Sequence, residues 1–295
     1  MIIAVVVSFF PDVATLSGNL DVIRDQVNEV ILVDNGSPAM ALDALEEKCG
    51  RAITLCRLGC NTGIAGAQNV GIRIALERGA THVVLFDQDS VPQAGAVRHL
   101  HEVALELDSR EVPVGLVASS VCDIHHPGGL PFFRLANGVA NWIQCPQAGG
   151  IIEIDTAIAS GSLIPARTLQ SVGAMNEALF IDLVDIDWCF RARAHGFRNF
   201  CACDARLSHR LGDRPAQALG RVTASHSPLR NYYYFRNAVW LFRQDHVPDV
   251  WKRALARQLR NRYLTYPLFA RPRWSYLRQM TWGLLHGMRG RLGPR

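Results

Sequence analysis

From Ile2 to Asp87, short runs of β-branched and apolar residues alternate with segments of helical spacing, and this alternation restricts the fold more than any other feature of the chain. Ile2 to Phe9 is a continuous apolar run, as a strand covered on both faces requires. Leu16 to Val27 has helical spacing, Val30 to Val33 reads as a second strand, and Met40 to Cys49 reads as a helix. Ala52 to Cys56, Ala65 to Arg78 and His82 to Phe86 continue the series as strand, helix and strand. The rhythm predicts an α/β fold built on a parallel, right-handed βαβ sheet. Ligands of such sheets sit beyond the carboxyl ends of the strands, and Asp34, Asn35, Asp87 and Asp89 fall at that edge.

The stretch from Pro113 to Ile154 is less regular and rich in Gly, Pro and aromatic residues, which predicts mixed strands and an acceptor-side loop. Ala157 to Ile164 leads into a helix from Pro165, Val184 to Ala194 forms another that ends at Gly196, and a strand near Phe200 to Ala205 leads to His209. Beyond Pro228 the pattern is helical, aromatic and basic. With 295 residues, 49% of them hydrophobic, the chain has material for one large domain and an appended segment, expected at 1–245 and 246–295. The opening MIIAVVVSFF lacks a basic leader and meets Pro11 and Asp12 too early to span a bilayer, so a buried strand is expected there. The eight cysteines include no CxxC pair, and the expectation is reduced thiols in a cytoplasmic protein.

Asp87-Gln88-Asp89 carries the sharpest chemical signal. Two carboxylates at a strand exit can share one divalent cation, and hard oxygen ligands suit Mg²⁺ or Mn²⁺ rather than a thiolate metal. The alternative is a solvent-exposed acidic turn. Asp34-Asn35-Gly36-Ser37 offers a carboxylate and an amide to a nucleobase or ribose, or else forms an ordinary Asx turn. Asn61 and Asn69 bracket a glycine-rich segment that either meets a nucleotide sugar or only starts a helix. Neither a GxGxxG fingerprint nor a Gly-Lys-Ser/Thr loop is present.

Asp182, Asp185 and Asp187 form a second acidic group, followed by Arg191. Asp185 is the candidate general base; Asp187 does not share its helix face, and either holds the geometry or exchanges roles with it. Both also suit the positive end of a helix dipole. His209 is a candidate third metal ligand or diphosphate contact, or an ordinary hydrogen-bonded histidine. His125-His126 reads as a polar loop, and Ser162 lacks the GxSxG setting of a nucleophile.

Six segments together carry a family resemblance: VVVSFFP at 5–11, VILVDNGS at 30–37, NTGIAGAQNVGI at 61–72, VVLFDQDSVP at 83–92, ASGSLIP at 159–165 and FIDLVDIDWCFRARAHGF at 180–197. Over residues 1–245 the chain resembles the family 2 glycosyltransferases of GT-A type, and within them the bacterial rhamnosyltransferase branch. The resemblance implies a GT-A fold with a nucleotide-binding βαβ half, a mixed-sheet acceptor half and a helical C-terminal extension. It implies a donor-binding set of Ser8, Asp34, Asn35, Asn61, Asn69, Asp87 and Arg191. It also implies a Mg²⁺ or Mn²⁺ site at Asp87, Asp89 and His209, and a catalytic group of Asp185 and Asp187. Many relatives have Glu-Asp where this chain has Val184-Asp185, so the aspartate is kept and the glutamate is missing. The implied reaction is inverting transfer of L-rhamnose from dTDP-β-L-rhamnose to a glycan or lipid-linked acceptor, giving an α-linkage.

Two rivals stand beside this reading. A sugar-phosphate nucleotidyltransferase also holds a nucleotide and a cation near paired aspartates, but it makes nucleotide sugar and releases diphosphate. A nucleic-acid-binding module is suggested by the tail, which has no Asp or Glu after Val250 while Arg257, Arg260, Arg262, Arg271, Arg273 and Arg278 accumulate among aromatics. That module leaves both acidic groups without a purpose, and no nucleic-acid partner is expected. The tail either rests on an anionic membrane surface at the inner face of the cell membrane or packs on the catalytic domain with its arginines exposed.

Overall fold

The computed structural model describes residues 1–50, 53–122, 129–136, 138–209, 214–218, 221–225 and 227–295, with side chains from 209 to 226 left aside. His125, His126 and the side chain of His209 therefore lie outside the described residues. Strand β1 (Ile2–Ser8) is the centre of a parallel group, flanked by β2 (Glu29–Asp34), which pairs in turn with β3 (Thr54–Arg57), and by β4 (His82–Asp87). Helices α1 (Val13–Arg24), α2 (Ala39–Cys49) and α3 (Gly63–Glu77) make the crossovers. The period-2 alternation of β1 sorts its side chains between two cores. Ile3, Val5 and Val7 face α3, while Ala4 and Val6 face α1 and α2. Because both faces are covered, every residue of the strand after its first can be apolar up to Ser8.

β5 (Ser90–Pro92) follows the acidic turn, and α4 (Ala96–Ser109) comes next. Sequence reading left this helix unassigned, although Val97, Leu100, Val103, Ala104 and Leu107 form its buried stripe. The irregular middle contains a long central strand, β6 (Val114–Cys122), a hairpin of β7 (Phe132–Ala136) and β8 (Val139–Ile143), and β9 (Ile151–Ile154). β10 (Ser162–Pro165) inserts antiparallel between β4 and β6, and α5 (Ala166–Val172) follows it. Helix α6 (Val184–Ala194) precedes β11 (Arg198–His209), which runs parallel to β6 and antiparallel to β5 and β9. The main sheet thus has the order β3-β2-β1-β4-β10-β6-β11-β5. A two-stranded ribbon, β12 (Arg214–Ala218) and β13 (Arg221–Ser225), stands apart.

Three helices close the chain: α7 (Pro228–Leu241), α8 (Asp249–Phe269) and α9 (Arg273–Met288). Phe235, Leu241, Trp251, Leu255, Leu259, Tyr276 and Met280 form their common core, which reaches Leu183 and Phe190 at α6. The tail therefore packs on the α6 region through one face. The cysteine expectation needs correction: Cys145 and Cys203 are joined by a disulfide, with Cys201 Sγ 3.6 Å from Cys145 Sγ. Antiparallel pairing of β9 with β11 brings together residues 58 apart, which spacing alone does not reveal.

Gly71 lets α3 lie directly on the sheet, since an added Cβ would strike the side chain of Val5 and crowd that of Val33. Gly71→Ala is expected to cost about 1–3 kcal/mol by overpacking. Urea denaturation should show a lower midpoint with an unchanged slope.

Candidate active site

The register of the parallel strands brings the first polar groups to one height. Ser8 lies beside Asp34 on β2, and Asp87 beside Val7 on β1. Asp34 is fully buried and accepts four hydrogen bonds: from Ser8 Oγ (2.9 Å), Gly36 N (3.0 Å), Ser37 N (2.7 Å) and Ser37 Oγ (2.5 Å). Asn35, 4% exposed, accepts from Thr62 N and Thr62 Oγ1 and donates to Asn61 Oδ1 at 3.1 Å. Asn61 is exposed and also accepts from Gly63 N. Ser8, Asp34, Asn35 and Asn61 thus form one connected rim that ties β1 and β2 to the start of α3.

The Asp87-Gln88-Asp89 turn is held from three sides. Asp87 N donates to Ser160 Oγ at 3.0 Å, and Ser160 Oγ donates to Ser90 Oγ at 2.7 Å. Gln88 exchanges hydrogen bonds with the backbone of Phe9, and Asn19 donates to the Gln88 carbonyl at 2.9 Å. Sequence reading rejects Ser162 as a nucleophile and counts Ala159-Ser160-Gly161-Ser162 in the family resemblance; in the structure Ser160 braces the acidic turn while Ser162 donates to the Ile158 carbonyl. Asp87 and Asp89 are both half-buried. The backbone of His209 pairs with that of Ser90, so β11 ends beside the same turn.

Asp185 stands in the first turn of α6, where Ile186 N donates to its Oδ1 at 2.9 Å. Burial pushes its carboxyl up to about 6, and the negative charges of Asp182 and Asp87 push the same way against that backbone N–H. Acidic groups about a hundred residues apart in the chain therefore meet electrostatically at one sheet edge. Below Asp185 lies an apolar floor of Leu85, Leu116, Ile164, Met175 and Trp188.

Three expected site residues are committed elsewhere. Asp187 is fully buried, its Oδ2 accepting from Arg191 Nε and its Oδ1 2.9 Å from His246 Nε2. Arg191 spends its other nitrogens on the carbonyls of Val172 (3.0 Å) and Ala174 (2.8 Å). Asn69 clamps the backbone of Met175 in both directions and donates to Glu177 at 2.8 Å. In the structure these three side chains brace α6 and the preceding loop, which for Asp187 is the geometry-holding role the sequence reading allows. His246 and Asn237 escaped sequence reading, since no local spacing marks partners 59 and 56 residues from the groups they hold.

Comparison with known proteins places this geometry among relatives. The model of the family described as glycosyl transferase family 2 matches residues 4–118. The dTDP-rhamnosyl transferase RfbF of Shigella flexneri is 32% identical over 248 residues, covering 84% of this chain and 81% of that protein. Among solved structures, GalNAc-T7 with UDP, GalNAc and Mn²⁺ matches with a TM-score of 0.61 at 11% identity, over 97% of this chain and 56% of that one. The mannosyltransferase PcManGT of Pyrobaculum calidifontis, in complex with GDP-Man and Mn²⁺, matches with a TM-score of 0.57 at 15% identity, over 98% of this chain and 75% of that one.

The raised Asp185 carboxyl makes a sign-specific prediction. Its proton affinity is higher in the folded chain, so the ionised group costs stability above pH about 6 and costs nothing below about 4, where folded and unfolded chains are both protonated. Asp185→Asn is expected to stabilise the metal-free protein by up to about 3 kcal/mol at pH 7. Denaturant unfolding at pH 7 and pH 4 checks this: the gain should shrink at the lower pH.

Proposed function

Since the chain belongs to the family 2 glycosyltransferases and has their GT-A fold, we propose that it transfers L-rhamnose with inversion from dTDP-β-L-rhamnose to a hydroxyl of a glycan or lipid-linked acceptor. The observation that carries the reading is Asp185 in the first turn of α6, its carboxyl raised chiefly by burial and further by the charges of Asp182 and of Asp87 at the end of β4. The rhamnose assignment draws on the activity named for the Shigella flexneri relative.

In the proposed reaction the acceptor oxygen attacks the anomeric carbon from the face opposite the nucleotide. The bond from that carbon to the diphosphate oxygen breaks, dTDP leaves, and the acceptor proton passes to Asp185. A β-donor then yields an α-glycoside. A carboxyl lifted towards neutrality is a better proton acceptor than an ordinary one, provided it is ionised at the working pH. The rim of Ser8, Asp34, Asn35 and Asn61 is suited to receive the nucleoside, because its donors and acceptors already hold a single backbone shape. Asp87 and Asp89, two half-buried hard-oxygen groups on a braced turn, fit Mg²⁺ or Mn²⁺, with His209 as a further candidate ligand. Such an ion, when bound, offsets charge on the departing diphosphate. Mn²⁺ is named in both solved structures described above.

Turnover with dTDP-β-L-rhamnose, in competition with UDP- and GDP-sugars and with or without Mn²⁺, tests the reading. Asp185→Asn should lower kcat by about 10²–10⁴-fold while calorimetry still detects donor. Asp89→Ala should instead weaken donor binding only where Mn²⁺ is present. Normal turnover in the first variant contradicts the base, and unaltered metal dependence in the second contradicts the metal site.

The acceptor side of the proposal includes contact with an anionic membrane surface, which would bring the protein to the inner face of the cell membrane. Among the described residues no helix is long and apolar enough to cross a membrane. However, Leu268, Phe269 and Trp274 are exposed at the turn between α8 and α9, beside exposed Arg271 and Arg273. Apolar anchors ringed by cations match an interfacial lipid contact. Replacing Leu268, Phe269 and Trp274 together by Ser should abolish flotation with phosphatidylglycerol vesicles, and undiminished flotation would remove this contact.

A further inference from the structure

The chain just before α6 adopts backbone angles that side-chain-bearing residues avoid. Phe180, Asp182 and Leu183 have φ of 66°, 64° and 64°. Such angles persist only where the surroundings over-determine them. The helix that follows begins at Leu183 with no side-chain N-cap hydrogen bond, so no ordinary capping residue sets its direction. Something else must hold the first turn of α6 in place.

That restraint comes from α7. Asn237 is fully buried, and its amide nitrogen donates to the carbonyls of Leu179 (2.9 Å), Ile181 (2.8 Å) and Asp182 (2.9 Å). Its amide oxygen accepts from Arg236 Nε at 3.0 Å, which fixes the orientation of the amide. Arg236, itself 1% exposed, donates to the Leu179 carbonyl at 2.9 Å and also to that of Gly293, drawing the end of the chain onto the same loop. From the other side Ile64 N donates to the Phe180 carbonyl at 2.8 Å, and the Phe180 ring stacks on Tyr233. Arg230 Nε donates to Asp182 Oδ1 at 3.0 Å. Asn237 is the only one of these groups whose side chain bridges both ends of the Leu179–Asp182 segment with three hydrogen bonds, among those described.

We propose that Asn237 is a positioning residue for the transfer reaction: by tethering three successive-loop carbonyls it sets the left-handed turn at Asp182 and Leu183, and so aims the Asp185 carboxylate at the Asp87 edge. The inference rests on the reading of Asp185 as general base. Asn237 is fully buried and acts through the backbone three to six residues before the base. Asn237→Ser keeps a small polar group but can satisfy only one carbonyl.

The test is a double-mutant cycle on the full chain. Asn237→Ser should lower kcat by about 10–100-fold, the scale expected for a misplaced catalytic group, with donor affinity from calorimetry held within about threefold. In an Asp185→Asn background the same substitution should change the residual turnover by less than about threefold, because the group it positions is already disabled. Gly63→Ala probes the same loop from α3: Gly63 has φ of +80° and an added Cβ would strike the Phe180 carbonyl. Its kcat should therefore fall in the unmodified background and not in Asp185→Asn. Donor affinity is compared for Asn237→Ser alone, because Gly63 N also holds Asn61. Equal loss from Asn237→Ser in both backgrounds overturns the proposal, as does a parallel loss of donor affinity or failure of both loop variants to fold. Normal turnover of Asp185→Asn alone would instead sink the base reading, and the proposal with it.

Discussion

Like charges placed together in a protein must be compensated or they raise each other's cost of ionisation. At the carboxyl edge of this sheet burial is the main cost of ionising Asp185, and the charges of Asp182 and Asp87 add to it. Asp185 accepts from the backbone N–H of Ile186, and Asp182 is paired with Arg230. By contrast Asp187, two residues further along the helix, is neutralised by Arg191 and His246. On the proposed reading the difference divides two neighbouring carboxylates into one that accepts a proton and one that holds the helix. Much of the surrounding structure can be understood as the framework that keeps the first of these where it stands.

The framework has two parts. Parallel strands deliver Ser8, Asp34 and Asp87 to a common height, and the antiparallel β10 is preceded by Ser160, which pins the acidic turn from behind. The second part is helical: α7 supplies Asn237, Arg236 and Arg230 to the loop before α6, while α9 and the chain end pack behind α7. Each part on its own presents only one side of the cleft. The proposed placing of a base against a diphosphate-side carboxylate therefore draws on the sheet and the C-terminal helices together, and the apolar face of the arginine-rich tail serves that packing.

Much of this was legible in the chain itself. Continuous runs such as Ile2–Ser8 can be satisfied only in a doubly covered strand, and the Asp-x-Asp turn at a strand end announces its chemistry through residue type and place. Helix α6 was readable to the residue because its apolar and acidic positions are local. What could not be read were long-range pairings. Arg191 looks like a donor contact until the carbonyls of Val172 and Ala174 are seen to use its guanidinium. Asn69 looks like a nucleotide ligand until Met175 and Glu177 claim it. The Cys145–Cys203 bond depends on the pairing of β9 with β11, which neither cysteine's neighbours disclose. Helix α4 is a different case: its apolar residues recur at regular helical spacing from Val97 to Leu107, so it was legible in the chain although the sequence reading does not assign it.

A crystal structure of the protein with dTDP and Mn²⁺ addresses the shared cleft most directly. The account predicts an anomalous peak for Mn²⁺ between the diphosphate and the carboxylates of Asp87 and Asp89, with Asp185 facing the space just beyond the diphosphate, where the sugar would lie. A manganese ion held by other groups, or an Asp185 carboxylate turned away from that space, would contradict it.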